Sequence, residues 1–499
     1  MSQTPGHAHR RAPLVVGIAL ALVAGAILVL ALRGSDPSSA DPSPEVASPS
    51  AKRESRPPGL AARLQDAVTL EGVMRHLEAL QRIADTSDGN RYTATRGHER
   101  SVNYVSEILS EAGYDLRFDE FDVTVYEERT PSVLERRAPA RRALEPAVDF
   151  TTFNFSPSGA VTGDVSPVGV RPGSLDGLGG CDEAVFSGFP SGDVALVQAG
   201  PCELTNQVLN AQAAGASAVL VMFTPELADT SVGVLRPSLR SSDAEVPALA
   251  VSTELGVRLA RGGTRVHLEV DGEVAERSTR NLIAERRGES DDVVMVGAHL
   301  DSVLDGPGIN DNGSGSASIL ELAIALADVP TSEGVRFAFW SAEELGLIGS
   351  EHYVGGLSEA ERDRITAYLN FDMVASPNYL RMVYGEGLAG VERPAAIKNL
   401  FLDYFERRDL ETDLINLSGR SDHGPFERVG IPVGGLFTGA EMFKSSRAAQ
   451  QFGGAAGEPA DPCYHLACDD IDNINEESLD QLSDAIAFAV ATLATSPDI

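Results

Sequence analysis

Apolar residues recur with helical spacing across 60–80 and again across 98–112, where Val102, Val105, Ile108 and Leu109 line one face. Gly113 ends the second helix, and YDLRFDEFDVTVYEE after it alternates like a strand. The stretch RTPSVLERRAPARRALEP breaks that alternation and reads as a loop or surface excursion. From about 146 to 274 Gly, Val, Ser and Pro dominate, and strand-like runs at 194–198 and 218–223 bracket the helix LTNQVLNAQAAGA. That piece reads as a small β-rich insert with its own core. Beyond it, apolar runs at 292–297, 335–340, 365–370 and 431–436 read as buried strands, the first followed by a Gly-rich loop and a helix at 316–326. Strands this apolar, separated by helical segments, predict an α/β fold with a mostly parallel central sheet flanked by helices. The main domain then occupies 59–145 and 275–499, on either side of an insert at 146–274. In open sheets of this kind chemistry collects beyond the carboxyl ends of the strands.

The first residues carry a different pattern. Residues 12–32 are a run of 21 without a charge, preceded by Arg10 and Arg11 and followed by Arg33. A helix of that length spans about 30 Å and can cross a membrane, and the two arginines favour an inside N-terminus. Residues 1–33 therefore read as a cytoplasmic tip with a transmembrane segment, and the Pro- and Ser-rich stretch 34–58 as a disordered tether. SSA at 38–40 resembles a small-residue cleavage site, so the segment is either a retained anchor or a removed leader. Both readings place the rest outside the cytoplasm. With 499 residues, 43% of them hydrophobic, the chain can bury substantial cores. A net charge of −33 disfavours nucleic-acid partners but says nothing of the substrate. The four cysteines fall in two clusters, Cys181 with Cys202 and Cys463 with Cys468, and an exported chain favours two local disulfides. A zinc site within CYHLAC is the alternative for the second cluster, but His465 has a better use.

That use emerges where the strands end. VVMVGAHLDS runs out at His299 and Asp301, NDNGSGSASILELA puts Asp311 at a loop-to-helix turn, and VRFAFWSAEELG ends in Glu343 and Glu344. ITAYLNFDMV delivers Asp372, and DPCYHLACDD presents His465. Imidazole and carboxylate oxygen suit zinc-like ions, and a carboxylate between two ions can bridge them while the pair activates one water. Neighbouring glutamates at a strand end point in different directions, so one can bind metal while the other serves as a base. A single acid at a strand end is more often solvated or capping a helix. Five such regions in this order are harder to attribute to chance.

These motifs, with SGRSDHGPFERVGIPVGGLFTGAE, resemble the zinc exopeptidases that include the secreted bacterial leucine-type aminopeptidases and aminopeptidase Y. The likeness covers about 60–499, and the insert resembles a protease-associated domain. It implies two Zn2+ per chain, with His299 and Asp372 on one ion, Glu344 and His465 on the other, and Asp311 bridging. It further implies Glu343 as general base, Tyr464 as donor to the oxyanion, and Asp301 orienting the His299 imidazole. Arg420 would lie near the substrate end and Phe437 against an apolar substrate side chain, while Asp422 and His423 read as structural. A disulfide across Cys463 and Cys468 belongs to the same likeness. Asp480 and Asp484 match acidic residues that hold Ca2+ in some members, although the ligands those members supply from the mature N-terminus have no counterpart here. The implied activity is removal of residues from peptides with a free N-terminus. Rival readings are a zinc carboxypeptidase or dipeptidase, a one-zinc glutaminyl cyclase, and an inactive surface protein that binds through the insert.

Overall fold

The computed structural model describes residues 59–170, 179–223, 234, 236–239, 243–385, 395–416 and 419–495. The expectation of a transmembrane helix is corrected. Among the described residues no helix is long and apolar enough to cross a membrane. The span at 12–32 and the tether at 34–58, on which that expectation rested, lie outside the described residues.

The first amphipathic stretch is two helices rather than one. Leu60–Ala67 and Leu70–Asp85 are separated at Thr69, whose extended backbone lets its hydroxyl accept the Gly72 N–H at 3.1 Å. The next helix, Arg96–Glu111, gives way to Gly113 at φ +82°. The central strands Val433–Phe437, Ile365–Phe371, Val293–His299 and Gly334–Trp340 lie side by side in that order and run parallel. Antiparallel strands flank them, Met382–Tyr384 at one side and Arg265–Arg286 at the other. Val293–His299 is buried at every position because both faces of the sheet are covered. Val294 and Val296 pack with Leu77, Leu80, Leu320 and Ile486, while Met295 faces Trp340, Tyr368 and Phe426. Each such side chain contributes about 1.5–3 kcal/mol by leaving water.

The segment expected as a loop after the first alternating run is largely strand. Asp115–Ala138 runs through it, paired antiparallel with Arg265–Arg286 from Asp115↔Glu285 to Ala138↔Arg265, with register shifts between Glu128 and Val133. The partner strand arrives far along the chain and supplies the ladder that the local pattern does not announce. Arg265–Arg286 also borders the insert sheet, whose order continues as Gly159–Val168, Val194–Gln198, Ala218–Met222, Ala248–Val251 and Phe150–Thr152. Leu204–Ala213 is the helix between the second and third of these. Apolar side chains cover both faces of that sheet, Leu196 and Leu220 on one and Val197 and Val219 on the other.

Candidate metal centre

Three of the central parallel strands end at the same place. His299 is the last residue of Val293–His299, Glu343 and Glu344 follow Gly334–Trp340, and Asp372 follows Ile365–Phe371. Asp311 sits in the turn that opens the helix Gly315–Leu326. That turn requires glycine at 308, where φ is +63° and a Cβ would lie 2.3 Å from the Asp311 carbonyl oxygen. His465 enters from the loop closed by Cys463 and Cys468.

The side chains converge. His299 Nε2 lies 3.2 Å from Asp311 Oδ1 and 3.4 Å from Asp372 Oδ1, with Glu343 Oε2 farther off at 4.0 Å. His465 Nε2 lies 3.3 Å from Asp311 Oδ2 and 3.1 Å from Glu344 Oε2. The two oxygens of Asp311 therefore face different imidazoles, as a carboxylate shared between two ions must. His299, Asp311 and Glu344 form one group able to hold an ion, and His299, Glu343 and Asp372 form another.

The electrostatics point the same way. Burial opposes charge on His299, yet Glu343 and Asp372 hold its pKa well above the ordinary value. Burial likewise opposes charge on His465, and Glu344 and Asp311 raise it. Glu343 is pushed well up by burial and by Asp372, Asp422 and Glu344, against the pull of His299, and Glu344 is raised by burial and Asp311. Carboxyls that resist ionisation beside imidazoles that resist neutrality mark a site short of positive charge. Glu344 Oε1 and Asp372 Oδ1 are moreover buried without a hydrogen-bond partner. Hard oxygen and borderline nitrogen donors in this number fit two zinc ions.

Support for the ligands comes from residues around them. Asp301 accepts from Thr93 Oγ1 at 2.8 Å and from the N–H groups of Glu343 at 3.3 Å and Glu344 at 3.4 Å, so it holds the turn carrying both glutamates. The His299 ring meets the main-chain carbonyl of Asp301 at 3.1 Å, nearer than its carboxylate at 3.7 Å. Ser421 donates to Asp372 Oδ2 at 2.6 Å, and Asn370, tied to Tyr368 and through it to Trp340, donates to Ser421 at 2.8 Å. Ala342, Met373 and His465 all take left-handed backbone, at φ +59°, +51° and +60°. Such conformations cost about 1 kcal/mol or more apiece outside glycine, and they cluster where ligands must be turned inward.

Tyr464 stacks on His465 with ring centroids 3.8 Å apart, and Arg420 lies beside its phenol while donating to Glu441 at 2.8 Å. Phe437 is half-buried at the seam between the Trp340 cluster and the cluster of Tyr379, Leu380 and Phe452. The buried Asp422 carboxyl is pushed up to about 7 by burial and nearby Asp372 and Asp301. Asp480 and Asp484 stand apart on the last helix, Glu476–Thr495. Asp484 is pushed up to about 6 by partial burial and by Asp480, and neither belongs to a group able to hold an ion among the described residues. Cys181–Cys202 is bridged within the insert.

Several supporting residues escaped the sequence reading. Arg91, fully buried, donates to the carbonyls of Leu300, Pro307 and Gly308 and so fixes the loop between His299 and Asp311. Asp469 accepts the N–H groups of Asn310 at 2.8 Å and Asp311 at 3.0 Å, and Asp461 accepts from Asn310 Nδ2 at 2.6 Å and the Cys463 N–H at 2.8 Å. These two aspartates bracket the disulfide loop and tie it to the Asp311 turn. Their only trace in the sequence is the acidic flanks of the CYHLAC run, which look like any solvated acids.

Comparison with known proteins adds the family. A model of peptidase family M28 matches residues 281–490, and a model of the PA domain matches residues 161–259. An aminopeptidase of Pseudomonas aeruginosa is 41% identical over 454 residues, covering 89% of this chain and 84% of that protein. A probable leucine aminopeptidase 2 of Aspergillus fumigatus is 39% identical over 437 residues, covering 85% and 83%. The solved aminopeptidase from Aneurinibacillus sp. strain AM-1 superposes with a TM-score of 0.67 at 26% identity, over 87% of this chain and 96% of that one.

Proposed function

The chain belongs to peptidase family M28, with a PA domain inserted, and from that premise we propose that this zinc aminopeptidase releases single apolar residues, leucine foremost, from free peptide N-termini outside the cytoplasm. The observation that carries the reading is Asp311, whose two oxygens reach toward His299 and His465 at 3.2 and 3.3 Å. His299 and Asp372 would hold one ion, Glu344 and His465 the other, and Asp311 both. Two zinc ions held there would supply Lewis acidity toward a carbonyl oxygen and a water. Glu343 Oε2 stands 4.0 Å from His299 Nε2, against 3.2 Å for Asp311 and 3.4 Å for Asp372, and so is the least committed of those three.

Glu343 takes the proton of the attacking water as its oxygen bonds the scissile carbon, then passes that proton to the departing amine nitrogen as the C–N bond breaks. The Tyr464 phenol donates to the oxygen that gains charge, and Arg420 beside it fixes the ring. Glu343 and Asp372 would hold the free α-ammonium, a requirement that internal bonds do not meet. Phe437 as an aromatic wall supports an apolar first residue, as does the name borne by the Aspergillus relative. Two disulfides suit an oxidising compartment. The test is a matched pair, Leu-Gly-Gly and its N-acetylated form, with the products identified. Free leucine from the first alone is expected. Cleavage of both, or release only from the C-terminus, would replace this reading with a carboxypeptidase.

A further inference from the structure

Residues 90–93, between the second and third helices, are buried throughout, although Asn90 and Thr93 are polar and Arg91 is charged. They are held from behind. Thr95 Oγ1 donates to the Tyr92 carbonyl at 2.6 Å and accepts the His98 N–H at 3.4 Å, capping the helix Arg96–Glu111. That helix packs so closely that a Cβ at Gly97 would lie 2.1 Å from the Asn90 carbonyl oxygen. In front, Asn90 Nδ2 donates to the Leu304 carbonyl at 3.1 Å, and the Arg91 N–H donates to Ser302 Oγ at 2.9 Å. The segment is thus fixed on both sides, and it ends at Thr93.

The turn after Gly334–Trp340 points its N–H groups at side-chain oxygens. Ser341 donates to Asn281 Oδ1 at 3.0 Å, Ala342 to Thr93 Oγ1 at 3.1 Å, Glu343 to Asp301 Oδ1 at 3.3 Å and Glu344 to Asp301 Oδ2 at 3.4 Å. A concavity of successive main-chain N–H groups favours acceptors that carry negative charge. Ala342 sits in it at φ +59° and is fully buried, so its N–H has no water to turn to. The Thr93 hydroxyl has one proton and gives it to Asp301 Oδ2 at 2.8 Å. Its lone pairs are left for Ala342, and the bond to the carboxylate strengthens the one it accepts. One hydroxyl therefore ties the loop of His299 and Asp301 to the turn of Glu343 and Glu344, from a point 208 residues ahead of Asp301.

We propose that Thr93 is a positioning residue for Glu343. Its hydroxyl locks the left-handed turn at Ala342, and that turn sets where the Glu343 carboxyl stands. Among the three N–H groups of residues 342–344 the bond to Thr93 is the shortest, so the two to Asp301 at 3.3 and 3.4 Å do not replace it. A base must lie within hydrogen-bond reach of the proton it takes, and a displacement of about 1 Å can cost about 10²-fold in rate. The proposal rests on the reading of Glu343 as general base, but the lock itself does not.

The experiment compares wild type, Thr93→Val and Thr93→Ser, each checked by elemental analysis for two zinc ions per chain. Valine keeps the shape and removes the hydroxyl, while serine keeps the hydroxyl and removes the methyl. On leucine p-nitroanilide the valine variant should lose about tenfold or more in kcat with KM within about twofold. Serine should restore kcat to within about threefold of wild type. An unchanged kcat with valine, a serine variant as slow as the valine one, or a loss carried by KM overturns the proposal. So does a valine variant that cannot hold two zinc ions, since the hydroxyl would then serve the ligand Glu344 instead. Amide hydrogen exchange over 341–345 in the zinc-loaded proteins needs no turnover. It should rise about tenfold with valine and stay near wild type with serine. Unchanged exchange with valine overturns the lock. A wild type without turnover, or Glu343→Gln as fast as wild type, would defeat the reading of Glu343 as base, and the exchange would still decide the lock.

Discussion

Asp469→Asn is the sharpest test of how the metal centre is held. Asp469 is only 1% exposed. Its Oδ1 accepts the Asn310 N–H at 2.8 Å and Asn473 Nδ2 at 3.1 Å, and its Oδ2 accepts the Asp311 N–H at 3.0 Å. Both oxygens are acceptors, so an asparagine must turn its NH₂ toward one of these donors. A bond to a charged acceptor is worth about 1.5–3 kcal/mol and an unpaired buried donor costs about 1–3 kcal/mol, two overlapping quantities that together come to about 2–3 kcal/mol. Without metal the loop can relax away from this conflict. With Asp311 committed between two ions it cannot, so the cost falls on the metal-bound state. At about 1.4 kcal/mol per tenfold, zinc affinity should weaken roughly 30- to 140-fold. Competition against a chromophoric chelator measures this directly, with unfolding of the metal-free protein as control. Burial and the neighbouring Asp461 push the Asp469 carboxyl well up, and a protonated aspartic acid would be mimicked by asparagine. Zinc affinity within about twofold of wild type would therefore refute the ionised acceptor and the bracing role built on it.

Glu343→Gln should keep two zinc ions by elemental analysis and lose roughly 10²–10⁴-fold in turnover, and near-normal turnover in metallated variant would contradict its role as base. The double change Cys463→Ser, Cys468→Ser should speed zinc loss to a mild chelator by about tenfold, since the His465 loop would then be held by Asp461, Asp469 and the Arg420 contact to Tyr464 without its covalent closure. Mass spectrometry finding both thiols free in active wild type would refute the bridge. His98 is buried, and burial, with Arg91 and Arg280 against Asp301, depresses its pKa to about 4 from 6.5. A depressed pKa means the neutral ring is the folded form, so its contribution is intact above pH 6.5 and is lost as pH falls toward 4, by up to roughly 3 kcal/mol. His98→Gln should flatten the acid limb of thermal stability in that window, and parallel limbs for both proteins would refute the assignment.

The parallel strands were legible because each is buried on both faces, which leaves a short apolar run bounded by polar turns. The residues gathered at the candidate centre were legible for a related reason: an acid or histidine just past such a run must lie at the sheet's carboxyl edge. What the sequence concealed depends on partners distant in the chain. The strand through 129–138 contains Pro131 and a string of arginines, and only its ladder with Arg265–Arg286 makes it a strand. Asp461 and Asp469 are indistinguishable from surface acids until Asn310 and Asp311 fold against them. The left-handed turns at Ala342 and Met373 have no signature at all, because alanine and methionine carry none of the usual preference for that conformation.

The strand Arg265–Arg286 serves two sheets. Its first six residues, 265–270, pair with Gly159–Val168 of the insert and its last residues with Gly334–Trp340 beside the candidate centre, while Asp115–Ala138 runs along nearly its whole length. From Asp271 to Asn281 it pairs with Asp115–Ala138 alone, and the register shifts between Glu128 and Val133 fall at the insert end of that two-stranded neck. Heat and denaturant should therefore find the joint between PA domain and peptidase core at this neck, and calorimetry that resolves one transition or two reads how firmly it couples them.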